Sequence, residues 1–280
     1  MPTDETTRRD FVARTSSYAL AGLPITASAI NTPATGLSTA EFTIARPDGH
    51  ALPVYRAQPA QAKGKLPVVL LVSEIFGVHQ HIADVARRFA QAGYLCLAPE
   101  LFERQGDAHQ QPDTQTLIRE VISKVPDAQV LGDLDACLDW AVANGGDPRR
   151  VAVTGFCYGG RITWLYAAHQ PRVKAGVAWY GRLVGQPSPL QPAHPIERAA
   201  SLLAPVLGLY GGQDTGIPVA SVARMQEALR AGNRAAQASE FVLYRDAPHA
   251  FHADYRPSYR AADAQDAWAR CLAWFKRHGV

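Results

Sequence analysis

The run LPVVLLVSE, residues 66–74, is apolar at almost every position, and it constrains the fold of this chain more than any other feature. A strand with one face in water alternates apolar and polar residues. A continuous run reads instead as a strand covered on both faces, the environment found inside a parallel sheet. Further apolar strands follow in YLCLAPE, RVAVTGF, KAGVAWYG, APVLGLYGGQD and SEFVLYRDAPH. Segments with helical spacing stand between them. HIADVARRFAQAG places Ile82, Val85, Ala86 and Phe89 on one side and stops at Gly93. TQTLIREVISKVP repeats Leu117, Ile118, Val121, Ile122 and Val125, and the next segment repeats Val130, Leu134, Leu138 and Ala141. The closing helix carries Trp268, Cys271, Leu272 and Phe275 on one stripe. Such alternation predicts right-handed βαβ units: an α/β fold with one mostly parallel sheet and helices on both faces.

EFTIARP and LPVYRAQP, on either side of Asp48-Gly49, read as two short alternating strands ahead of that core. The long Pro-rich segment GRLVGQPSPLQPAHPIERAA predicts a surface excursion or lid. Residues 41–280 are expected to form a single domain. Residues 1–40 are set apart as an N-terminal arm. The arm pairs Arg8 with Arg9, adds Phe11 and a weakly apolar stretch from Tyr18 to Ile30, and offers Ala27-Ser28-Ala29 as a small-residue cleavage site. This pattern resembles a twin-arginine signal for periplasmic export. Arg14 and Pro24 interrupt it, so the opposing reading is a plain arm on a cytoplasmic protein.

Composition narrows the classes of function. The 280 residues are 47% hydrophobic and 19% charged with a net charge of +3, ordinary for a globular chain with a large core. The basic residues are dispersed without interleaved aromatics, which argues against nucleic acid. No later apolar run predicts a stable membrane association. Cys96, Cys137, Cys157 and Cys271 are widely spaced, which suits free thiols better than a disulfide framework or a zinc site. His79 and His81 in VHQH have no evident third ligand and read as loop residues.

Polar groups at the carboxyl ends of parallel strands are the natural candidates for chemistry. Three stand there in chain order: Cys157 in GFCYGG, Asp214 in GGQD and His249 in DAPHAFH, with His252 a nearby competitor to His249. The order nucleophile, acid, histidine is that of α/β-hydrolases, and G-x-nucleophile-x-G between strand and helix is their nucleophile turn. The glycines allow close backbone approach, and the helix N-terminus favours a thiolate. Singly, each residue has an ordinary alternative: a buried thiol, a turn aspartate, a loop histidine. Together they favour a nucleophile, a base and its orienting acid.

With these stretches, SEIFGVHQHI, CLAPELFERQGD, VTGFCYGGRITWLYAAH, VLGLYGGQDTGIP and DAPHAFHADYRPSY resemble the dienelactone hydrolase (carboxymethylenebutenolidase) family of the α/β-hydrolase superfamily, from about Glu41 to the C-terminus. The resemblance implies Cys157 as nucleophile, His249 as general base and acid, and Asp214 as its orienter. It further implies Glu74 as a carboxylate controlling the thiol proton, with the Ile75 and Tyr158 backbone N–H groups as oxyanion donors. The expected substrate is a small ester or lactone, cleaved through an acyl-enzyme by a monomer without metal or organic cofactor. Family members bind the substrate carboxylate with two arginines. Arg104 matches the first; the second position, four residues past the catalytic histidine, holds Ala253, with Arg256 nearby. That departure leaves a broader esterase in play, with Phe76, Trp179 and Tyr180 as pocket walls or plain core. A binding protein on the same fold and a thiol redox protein are the other classes. The full set Glu74, Cys157, Asp214 and His249 disfavours the first, and the want of a nearby resolving cysteine disfavours the second.

Overall fold

The computed structural model describes residues 29–280. Arg8, Arg9, Phe11 and nearly all of the apolar stretch on which export rests lie outside the described residues. Strands β1 (Leu37–Ala45) and β2 (Ala51–Pro59) form an antiparallel hairpin, its turn held by Asp48 accepting the His50 N–H at 3.1 Å. The first strand thus starts at Leu37, ahead of the boundary expected at 41. β2 also pairs antiparallel with β4 (Leu95–Pro99). Every remaining pairing is parallel, through β3 (Leu66–Val72), β5 (Gly146–Phe156), β6 (Ala175–Trp179), β7 (Val206–Gly211) and β8 (Glu240–Tyr244). The eight strands form one sheet in the order β1-β2-β4-β3-β5-β6-β7-β8.

This order contains a switch point. From β3 the chain first goes outward to β4, then crosses back so that β5 lies on the other side of β3. Connections leave β3 and β5 in opposite directions, and a crevice opens between their carboxyl ends. Glu74 follows β3 and Cys157 follows β5. Val68, Val69, Leu70, Leu71 and Val72 of β3 are wholly buried, as the unbroken apolar run requires, and each such side chain stabilises the fold by about 1.5–3 kcal/mol.

Helices cover both faces. α1 (Gln80–Gln91) and the closing α8 (Ala261–Arg277) share one face, where Phe89 meets Trp268 at 4.6 Å and Phe275 at 6.1 Å. α3 (Asp127–Ala143) and α4 (Tyr158–Ala167) lie against β3 and β5 on the other, while α2 (Thr114–Glu120) precedes α3. α5 (Pro195–Arg198), α6 (Val219–Arg230) and α7 (Arg234–Gln237) complete the second half. No helix of the described residues is long and apolar enough to cross a membrane.

Two helical expectations are corrected. The single helix read through residues 114–126 stops at Glu120, because Val121 leaves helical geometry (φ −120°) and a 3-10 turn follows at Ile122–Lys124. β-branched residues crowd this stretch and weaken its helix. The break leaves Ile118 46% exposed while Leu117, Val121, Ile122 and Val125 are buried. On α8 the buried stripe runs through Ala264, Ala267, Cys271, Trp274 and Phe275, with Trp268 and Leu272 at its margin. The Pro-rich excursion after β6 is exposed over residues 185–190 but pinned at its far end. There Arg161 of α4 binds Asp127 bidentately at 2.7 and 2.8 Å and donates to the Ala193 carbonyl at 2.9 Å.

Candidate active site

β5 runs directly into α4 through one residue, Cys157, whose backbone adopts φ +54°, ψ −108°. A side chain at positive φ is strained, so the surroundings must hold it there. Its N–H donates to the Trp179 carbonyl at 3.0 Å and its carbonyl accepts the Arg161 N–H at 3.2 Å. The helix start also presses on β3. Gly159 donates to the Ser73 carbonyl at 3.1 Å, and a Cβ there would lie 2.2 Å from the Val72 carbonyl oxygen. Across the turn, a Cβ on Gly181 would meet the Gly160 carbonyl carbon at 2.2 Å. Glycine is therefore demanded by backbone contact. The result is a half-buried thiol at a helix N-terminus.

Asp214 follows β7 and is buried. Its Oδ1 accepts the Gly216 and Ile217 N–H groups at 2.9 and 3.1 Å, which leaves Oδ2 for the His249 Nδ1, 2.6 Å away. His249 lies beyond β8, with its ring close enough to Cys157 for the two groups to interact electrostatically. Burial disfavours the charged imidazole, but the adjacent Cys157 charge and the Asp214 carboxylate outweigh it and push the ring up to about 10. The Tyr180 ring packs edge-on against His249 at 5.1 Å. The competitor His252 is buried among Phe156, Trp179 and Trp268, where burial pushes its pKa down.

Glu74 is buried beside this group. Its Oε2 accepts the Tyr255 hydroxyl at 2.7 Å, and its Oε1 lies 3.7 Å from a guanidinium nitrogen of Arg256, which also passes over the Phe76 ring at 6.0 Å. The Ile75 and Tyr158 N–H groups stand one residue beyond Glu74 and Cys157. Among the described residues, neither N–H donates to another protein group.

Arg104 is placed differently from the expectation. Its guanidinium binds Asp133 at 2.6 and 3.0 Å and Asp48 at 3.0 Å, and no hydrogen bond or ion pair joins it to Cys157, His249 or Glu74 among the described residues. Arg256, seven residues past His249, is the arginine at the cluster. The sequence marked Arg256 only as lying near the second arginine position and did not single out Tyr255, whose only signal was its place inside ADYRPSY. Of the suggested pocket walls, Phe76 and Tyr180 border the cluster. Trp179 is core, its indole N–H donating to Thr154 at 3.0 Å.

His79 closes the loop ahead of α1, whereas His81, read as a loop residue, lies inside the helix. His79 caps α1 by accepting the His81 N–H at 3.3 Å, and His81 sits in the first turn, 3.2 Å from Asp254. Among the described residues no group of three or more His, Cys, Asp or Glu is arranged to hold a metal. Cys96, Cys137 and Cys271 are free and fully buried, and burial pushes all three thiols up, so none is poised as a resolving partner.

Sheet order, strand-end residues and the turn carrying Cys157 define an α/β-hydrolase fold. The profile of the dienelactone hydrolase family matches residues 52–279, and the chain belongs to that family of hydrolases. A protein of Methylorubrum extorquens, provisionally named carboxymethylenebutenolidase, is 56% identical over 277 residues, covering 98% of this chain and 94% of its own. Its provisionally so-named counterpart in Escherichia coli K12 is 53% identical over 264 residues, 94% of this chain and 96% of its own. The crystal structure of a provisionally named dienelactone hydrolase from Klebsiella pneumoniae, 54% identical, superposes with a TM-score of 0.83 over 86% of this chain and 99% of that one.

Proposed function

We propose that this hydrolase cleaves small carboxylic esters or lactones with Cys157 as nucleophile, His249 as general base and acid, and Asp214 as the orienter of the imidazole. The observation that carries the reading is the 2.6 Å contact of Asp214 Oδ2 with His249 Nδ1, with Cys157 near the same ring, at the carboxyl ends of β7, β8 and β5. Thiolate Cys157 attacks the carbonyl carbon, and the Ile75 and Tyr158 N–H groups receive the developing oxyanion. The C–O bond then breaks, His249 gives its proton to the leaving oxygen, and a thioester remains. Water, deprotonated by His249, attacks the thioester; the acid leaves and the thiolate–imidazolium pair is restored. Glu74 governs the thiol proton in the resting site.

For the substrate, Arg256 favours a carboxylate-bearing ester or lactone. Its 3.7 Å separation from Glu74 is too long for a hydrogen bond, and it is 23% exposed, so its planar fork is available to an incoming carboxylate. The test is Cys157→Ala assayed on activated esters and on dienelactone. A loss of about a thousandfold or more in kcat is expected, together with iodoacetamide labelling of Cys157 ahead of the other three thiols. Retained activity in the variant would overturn the assignment.

A further inference from the structure

Resting on that reading of Glu74, the geometry points to Tyr255 as the positioning residue of this carboxylate: it ties up Oε2 and leaves Oε1 as the oxygen able to exchange a proton with the site. The Tyr255 hydroxyl donates to Oε2 at 2.7 Å, whereas Oε1 is buried and has no hydrogen-bond partner. A buried carboxylate with one satisfied and one unsatisfied oxygen is costly as an anion and directional as a base. The remaining polar groups facing Glu74 make no hydrogen bond to it. Arg256 stands at 3.7 Å from Oε1, His79 Nε2 at 3.9 Å from Oε2, and the buried Tyr180 hydroxyl, which feels the charges of both Glu74 and Cys157, has no partner.

The phenol is itself held in place. Its ring lies edge-on to His79 at 5.2 Å and tilted on His81 at 5.1 Å. His81 is fixed in turn by Asp254, which Arg88 of α1 binds at 2.5 Å. Tyr255 therefore reaches Glu74 from a rigid support. Donation to the charged form stabilises the anion and fixes which of its two oxygens is left without a hydrogen bond. A residue that only filled space would need the ring and not the hydroxyl.

The experiment is Tyr255→Phe, which keeps the ring. The kcat/KM–pH profile on an activated ester and the pH dependence of Cys157 alkylation by iodoacetamide are measured alone and in a Glu74→Gln background. Without the donor, Glu74 holds its proton to higher pH. The acid limb of both profiles should move up by about one unit, with kcat/KM on the acid side of that limb falling roughly tenfold and the plateau little changed. In Glu74→Gln the added substitution should shift neither profile. 3-Fluorotyrosine at 255, a stronger donor of nearly the same size, should move the limb down, and it keeps the test open if Tyr255→Phe folds poorly. A uniform loss at all pH values with the limb unmoved, or an equal loss in the Glu74→Gln background, would reduce Tyr255 to a packing residue. Wild-type activity and profile in Glu74→Gln alone would instead remove the reading of Glu74, and this proposal with it.

Discussion

His249 carries the balance of the site in one ring. Burial works against its charge, and the Cys157 and Asp214 charges more than compensate, holding it near 10. In the proposed reaction the ring serves as a base once acylation has consumed the Cys157 charge. Cys157→Ala removes the largest of the raising influences and leaves burial opposed by Asp214 alone. The His249 resonances followed by NMR should then titrate at distinctly lower pH, and an unchanged midpoint would disprove the coupling. The arginines separate in the same way. Arg256→Ala should raise KM for carboxylate-bearing lactones roughly 10- to 100-fold and spare neutral esters, the worth of a charge-assisted hydrogen bond. Arg104→Ala should leave both KM values alone and instead cost about 1–3 kcal/mol, because it strips the bidentate partner from buried Asp133. The strand-end positions of Cys157, Asp214 and His249 were legible because the pattern of each strand is local. Tyr255 was not, and Arg256 was legible only as an arginine near the expected position. They follow Ala250, at φ +58°, in an irregular loop where no periodicity tells which way a side chain faces.

The strand–turn–helix element is where sequence and structure agree most closely, because its requirement is steric. Gly159 and Gly181 stand where backbone touches backbone, and no rearrangement of side chains can make room. Gly159→Ala would place a methyl 2.2 Å from the Val72 carbonyl oxygen and force β3 and α4 apart. The expected cost is about 3 kcal/mol or more, read as a lower urea midpoint, with loss of activity under conditions where the variant is still folded. The parallel core was equally legible, since strands buried on both faces cannot hide their composition. The helices fared less well. Apolar residues at helical spacing foretold burial correctly at Ile82, Val85, Ala86 and Phe89, which sit on one uninterrupted helix. The same spacing misplaced Ile118, because the backbone break at Val121 resets which face is inward and spacing alone does not register a break.

Across the whole molecule, the site loop is moored to parts of the chain far from it in sequence. Asp84 of α1 accepts from the Thr32 N–H and from Arg88 at 2.6 Å, and Arg88 reaches Asp254, 166 residues away, within the loop that carries His249, Tyr255 and Arg256. Arg87 adds the Thr32 carbonyl at 2.9 Å. These contacts join the start of the described chain, one face of the sheet and the site loop, and no local pattern encodes them. Arg88→Met keeps the aliphatic stem but leaves two buried carboxylates short of a counter-charge, an expected loss of about 3–5 kcal/mol. The pH dependence has a definite sign. Burial alone would raise Asp254, but His81 and Arg88 outweigh it and hold its carboxyl well below the usual carboxylate range. A depressed carboxylate contributes stability above its unfolded value of about 3.9, and that contribution is lost as the pH falls through the lower folded value. The stability gap between wild type and Arg88→Met should therefore be widest near neutrality and close as the solution is acidified below about pH 4, measured by urea titration at each pH. A gap independent of pH would mean that Arg88 acts through packing of its stem and not through the charge it gives Asp84 and Asp254.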